Sequence, residues 1–169
     1  MYEADSEMPF TGVAVRKFEN GQRWMETTYK DGKAEGLSTT WHESGQKASE
    51  VIYKGGKRGG LATEWYGNGQ KEREGTYKDG KREGLVTEWH ENGQKASEVI
   101  YKDGKQEGLV TKWYESGKKT LEITYKDQKR EGLATNWHEN GQKASESTWK
   151  DGKKVSETKW DNEGNVIKE

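Results

Sequence analysis

Three histidines, His42, His90 and His138, and a row of carboxylates, Glu26, Glu50, Glu74, Glu98, Glu122 and Glu146, are the side chains of this chain with the chemistry to hold a metal or move a proton. Their spacing argues against both. The histidines stand 48 residues apart, which in a sheet of two strands per 24 residues separates neighbours by roughly 20 Å, whereas ligands of one ion lie within about 2 Å of it. A general acid and base need carboxyls in different environments, and six acids in one repeating context have none. Pairing of these acids with Thr39-type neighbours and with nearby lysines is the structural alternative. No metal, cofactor or catalytic residue is expected, and the chain reads as non-enzymatic.

The aromatic rows could bind rather than catalyse. Trp41, Trp65, Trp89, Trp113 and Trp137 recur every 24 residues, as do Tyr29, Tyr53, Tyr77, Tyr101 and Tyr125, with Trp149 next in the tyrosine row. Exposed rings at such intervals could stack on sugars, and lysines recur in each "KDGK" segment. A chain poor in aliphatic residues must nevertheless bury what it has, so the Trp row is expected to pack. The variable positions, the Ala62, Val86, Val110 and Ala134 series with Arg73 and Leu121, are then expected to point outward.

Composition sets the frame. The chain has 169 residues, 28% hydrophobic and 35% charged, against roughly 45–50% and about 25% in ordinary globular proteins. Such values border on disorder, but a net charge of -1 and an aromatic content of 11% oppose it. The pI near 6.4 is far from that of a nucleic-acid binder, so no nucleic acid is expected. A polybasic membrane patch is not expected either, although "YKGGKRGG" from Tyr53 to Gly60 is locally basic. There is no cysteine, and hence no disulfide framework. The opening "MYEADSEMPF" carries acids and no apolar run; the expectation is a cytoplasmic protein if Met1 is native, and a secreted or periplasmic one if an upstream signal was removed.

The elements follow from the period. The row Gly36, Gly60, Gly84, Gly108 and Gly132, each followed by Leu, keeps the same 24-residue step. Runs of about seven residues alternate with period two between turn dipeptides such as Asp79-Gly80 and Asn92-Gly93, a signature of strands rather than helices. Reading Ser44-Gly45 as a two-residue turn sets Trp41 opposite Ala48, Thr39 opposite Glu50, Leu37 opposite Ile52 and Gly36 opposite Tyr53. Leu, Thr and Trp then share one face, and a Tyr ring covers the backbone that each Gly leaves bare. "KDGK" turns join hairpin to hairpin. The expected fold is all-β: an elongated, single-layer antiparallel meander of tandem 24-residue hairpins.

The stretch "EGLVTEWHENGQKASEVIYKDGK" resembles the short bacterial variant of the MORN repeat, and the resemblance runs from about Phe10 to Gly164. It implies a twisted sheet used as a scaffold or contact surface, in proteins often labelled toxin-antitoxin antitoxins. Departures at the ends, with Pro9, Lys17 in the Trp place, Val155 in the Gly place and Trp160 only 23 residues after Trp137, read as caps over open strand edges. The expected organisation is an N-terminal cap over 1–11, tandem repeats over 12–153 and a capping hairpin over 154–169.

The expected function is a protein–protein scaffold, antitoxin- or immunity-like in one form, with an unidentified protein partner or a homodimer through a sheet edge or apolar patch. Leu121 stands where Ser49, Arg73, Ser97 and Ser145 stand in other copies. With Ile123, Tyr125 and Tyr114, and with Arg73 as the second odd position, it marks the candidate contact. The rival expectation is a glycan- or membrane-surface-binding module that uses exposed aromatic and Lys rows.

Overall fold

A computed structural model describes residues 9–167. Thirteen strands follow one another: β1 (Gly12–Lys17), β2 (Arg23–Lys30), β3 (Lys33–Trp41), β4 (Lys47–Lys54), β5 (Lys57–Trp65), β6 (Lys71–Lys78), β7 (Lys81–Trp89), β8 (Lys95–Lys102), β9 (Lys105–Trp113), β10 (Lys119–Lys126), β11 (Lys129–Trp137), β12 (Lys143–Lys150) and β13 (Lys153–Lys159). They form one sheet in sequence order, every neighbour antiparallel to the next. The expected single-layer meander is the fold.

Two kinds of turn build it. At Asp31-Gly32, Gly55-Gly56, Asp79-Gly80, Asp103-Gly104, Asp127-Gln128 and Asp151-Gly152 both residues have positive φ, the signature of a two-residue type I′ hairpin whose twist matches the strands. The Ser/Asn-Gly turns are different. His42 N–H donates to the Gln46 carbonyl and Gly45 N–H to that of His42, and only Gly45 has positive φ. This is a three-residue loop, a type I turn closed by a glycine bulge. The two-residue reading is therefore corrected: Trp41 pairs with Lys47, not Ala48. A separate bulge at Ala48, unmatched between the Trp41↔Lys47 and Thr40↔Ser49 pairs, takes up one residue, so Thr39↔Glu50, Leu37↔Ile52 and Gly36↔Tyr53 stand as expected.

A second irregularity recurs where five of the six type I′ hairpins open out. Ile123 pairs with Ala134 but Thr124 with Glu131, leaving Gly132 and Leu133 unmatched. Gly36, Gly84, Gly108 and Gly132 take φ of +74 to +80° there, a conformation that side chains resist. A Cβ at Gly36, Gly84 or Gly132 would meet nothing. Glycine is thus required by backbone conformation at these four positions, beyond the ring cover expected from sequence, whereas at Gly60, which lacks that conformation, an added Cβ would come within 2.9 Å of the Ile52 side chain. An insertion of two residues preserves alternation, so the faces stay in phase along the array.

The core overturns one expectation. The buried row running across the sheet is Val51, Ala62, Val86, Val99, Val110, Ile123 and Ala134, each 3–7% exposed, with Thr27, Ser38 and Ser147 at its ends. The Ala62, Val86, Val110 and Ala134 series does not point outward as variable surface; it is the core. The Leu row, which shares a face with Thr39 and Trp41, is instead half-exposed, with Leu85 at 51% and Leu133 at 55%. On that face the Thr39, Thr63, Thr87, Thr111 and Thr135 row is buried beneath a ladder of Trp, Lys and Glu. Lys71, for instance, bonds Glu74 at 2.5 Å and lies 5.7 Å from the Trp89 ring centroid. The tryptophans themselves are half-buried.

Both ends depart from the repeat. At the start, Phe10 packs 6.0 Å from Tyr29 and its carbonyl accepts from Gly32 N–H; the rest of the proposed N-terminal cap, residues 1–8, lies outside the described residues. At the other end only Val155 is unmatched between the Thr148↔Ser156 and Trp149↔Lys154 pairs. One bulged residue in place of two explains why Trp160 follows Trp137 by 23. The edge strand β13 is exposed throughout, and Glu157 pairs with Ser147 in line with the aliphatic row. A charge facing inward at an edge discourages further strand pairing.

Candidate functional site

The face carrying the aliphatic row bears two flanking rows that close over it. On one side lie the tyrosines and the residues paired with them. Arg82 donates to the Tyr77 hydroxyl at 3.4 Å and the Tyr101 hydroxyl at 3.0 Å, Arg58 reaches Tyr77 at 3.3 Å, and each guanidinium lies 5.1 Å from the following ring centroid. Burial alone would raise the Tyr77 phenol, but the bonds from Arg82 and Arg58 outweigh it and hold the phenol below its usual range. On the other side runs a polar ladder. Arg73 bonds Glu88 at 2.9 Å and Glu64 at 3.2 Å, and Ser97 bonds Glu88 at 2.9 Å. Burial pushes the Glu88 carboxyl up, while Ser97 and Arg73 pull it further down, below the ordinary carboxylate range.

Both ladders change at β9 and β10. Gln106 stands where Arg58, Arg82 and Arg130 stand, opposite Tyr101. Lys112 takes the place of Glu64 and Glu88, and Leu121, paired with it, takes the place of Arg73 and Ser97. A cleft of about 230 Å³ opens there, with Val99, Val110 and Leu121 among its lining and Gln106, Lys112 and Arg130 beside them. Val99, Val110, Leu121, Tyr101 and Tyr125 of that lining belong to an apolar cluster that continues through the buried Ile123 and Ala134 to Trp149.

The structure thus brings together Leu121, Ile123 and Tyr125 of the candidate contact in one cluster, with Leu121 and Tyr125 lining the cleft and Ile123 buried in the core rather than on the surface. It does not add Tyr114, which lies in the loop after β9 with its hydroxyl donating to the Trp137 carbonyl at 2.8 Å. Arg73 is four strands away, roughly 19 Å, and is occupied by its two glutamates. Sequence reasoning missed Gln106, Lys112 and Arg130. A row-by-row comparison of copies carries the signal, because Lys112 is the cation in a row of Thr40, Glu64, Glu88 and Asn136.

The histidines act structurally. His42, His90 and His138 place Nε2 at 2.9–3.0 Å from the carbonyls of Trp65, Trp113 and Trp160, and Tyr66 and Tyr114 hydroxyls donate to Trp89 and Trp137. A carbonyl only accepts, so the imidazole proton sits on Nε2. Among the described residues no group of His and acidic side chains is arranged to hold a metal ion.

An open meander of hairpins tied loop to loop is a repeat scaffold. The profile of the MORN repeat variant matches residues 10–31, 34–54, 58–79, 82–103, 106–127 and 130–151, and the chain belongs to that family. MORN repeats commonly serve as scaffolds that contact proteins or membranes. No match was found among curated proteins.

Proposed function

We propose that the protein is a non-enzymatic scaffold whose specific contact is with another protein, made at the cleft over β8 to β11. One observation carries this reading: beside the buried aliphatic row, the half-buried Leu121 and the cation Lys112 stand paired where the preceding units carry the Glu64, Arg73, Glu88 and Ser97 ladder. A few anchors in a small pocket supply most of the energy of such contacts. The glycan alternative gains no support, because lysines such as Lys47, Lys95 and Lys119 lie 5.9–6.0 Å from the Trp65, Trp113 and Trp137 ring centroids, where a sugar would stack. An antitoxin- or immunity-like role is one form of the contact, tested by co-expression with the product of a neighbouring gene.

The test is Leu121→Ser, which restores the residue at Ser49, Ser97 and Ser145. Arginine is less suitable here, since Arg73 depends on Glu64 and Glu88 while Leu121 lies between Lys112 and Asn136. Loss of self-association in sedimentation, or of capture of a co-purified partner, with unchanged circular dichroism and only slightly lower melting, is the expected result. Unchanged association overturns the reading.

A further inference from the structure

We infer that the cleft selects a partner segment in which an acidic side chain adjoins an apolar one; the inference rests on the contact reading above and adds its chemistry. Three departures from the repeat, Gln106, Lys112 and Leu121, lie on different positions of β9 and β10 yet converge on one cleft. Each removes a partner that other units have. Where Arg82 satisfies two hydroxyls, Gln106 leaves Tyr125 without a side-chain donor; among the described residues neither the Tyr125 hydroxyl nor the Gln106 amide has a hydrogen bond. Where Glu88 meets Arg73, Lys112 meets Leu121, and its ammonium forms no ion pair among the described residues. Among the described residues the Arg130 guanidinium on the far side engages only the Trp149 ring, at 4.6 Å. The acid in the lining, Glu88, is taken by Arg73 and Ser97, so the rim offers two cations, an amide and a hydroxyl that it does not pair, around a floor of Val99, Val110 and Leu121.

Size decides what enters. Pockets for whole small ligands run from about 300 to 1,000 Å³, and this cleft has about 230 Å³. It takes one or two side chains of a chain whose remainder stays outside. A carboxylate between Lys112 and Arg130 is favoured over a cationic side chain, which both would repel, so selectivity arises as much from repulsion as from attraction. The apolar neighbour of that carboxylate covers Leu121.

The experiment titrates the full ¹⁵N-labelled chain with short Gly/Ser-flanked peptides that carry Leu-Glu, Leu-Lys or Gly-Glu, and with free 4-methylpentanoate. The Leu-Glu peptide should shift amides at Gln106, Lys112, Leu121 and Tyr125 and bind at least about tenfold more tightly than Leu-Lys. Lys112→Glu, the residue found at Glu64 and Glu88, should abolish that preference while leaving the melting curve in place. Equal binding of Leu-Glu and Leu-Lys, both lost in Leu121→Ser, overturns the acidic selectivity and leaves the contact reading standing. Shifts outside the cleft, or no binding by any peptide, overturn the inference. Binding of 4-methylpentanoate as tight as that of the peptide overturns it in favour of a small-molecule site.

Discussion

His90 and Tyr66 occupy equivalent loop positions with different chemistry, and the structure gives them one role, donation to the Trp carbonyl one unit on. His90→Tyr should therefore leave stability nearly unchanged, whereas His90→Ala should cost about 1 kcal/mol for the lost bond. Thermal or urea melts of the two variants check this; equal destabilisation would mean that the ring packs rather than donates. The face assignment rests on neighbours in one strand. Val110 is 3% and Leu109 46% exposed, so Val110→Ala should cost about 2 kcal/mol for the two buried carbons and the space they leave, and Leu109→Ala under about 1 kcal/mol. The reverse order would put the core on the other side of the sheet.

Between strands, the Glu64, Arg73, Glu88 and Ser97 network ties β5 to β8. The folded Glu88 carboxyl gives up its proton more readily than the unfolded one. Its contribution is therefore complete above the ordinary glutamate range near pH ~4.3 and is lost as pH falls through the lowered folded pKa. Glu88→Gln should flatten that acid limb in melts taken as a function of pH. The turns show a matching local contrast. Glu83, Glu107 and Glu131 accept from the amides of Asp103, Asp127 and Asp151, but Gly59 stands in the equivalent place before Asp79. The Asp79 amide should exchange with solvent faster than the other three, as hydrogen exchange read by NMR would show. Strands, turn positions and most of the register were legible because alternation and Asp-Gly or Asn-Gly pairs are local signals. The buried face was not. Leu85, Val86 and Thr87 leave neither side of β7 plainly polar, and leucine has more apolar area to bury than valine or alanine. What buries the smaller row is the pair of flanking ladders, which depend on contacts between units. The cleft was half legible: Leu121 is an apolar intruder in a serine row, whereas Gln106 and Lys112 look unremarkable until their partners are placed.

Over the whole sheet, phase is the quantity conserved. Each unit advances by 24 residues, an even number, and each bulge returns the chain to the same face, so the aliphatic row runs from Val51 to Ala134 on one side. Deleting Gly60 to Glu83 removes one period and joins Gly59 to Gly84, which regenerates a Gly-Leu bulge and keeps both rows aligned. Removing one residue more, Gly60 to Gly84, joins Gly59 to Leu85. Every side chain beyond the junction then falls on the opposite face relative to β4, because a one-residue slip inverts a strand. Stability in such arrays is a sum of units and nearest-neighbour interfaces. The shorter deletion should lower the melting temperature modestly and keep one cooperative transition. The longer one loses the β4 interface as well and should melt lower, in two steps, as its halves uncouple. Equal melting temperatures for the two would show that alternation does not set the register of this sheet.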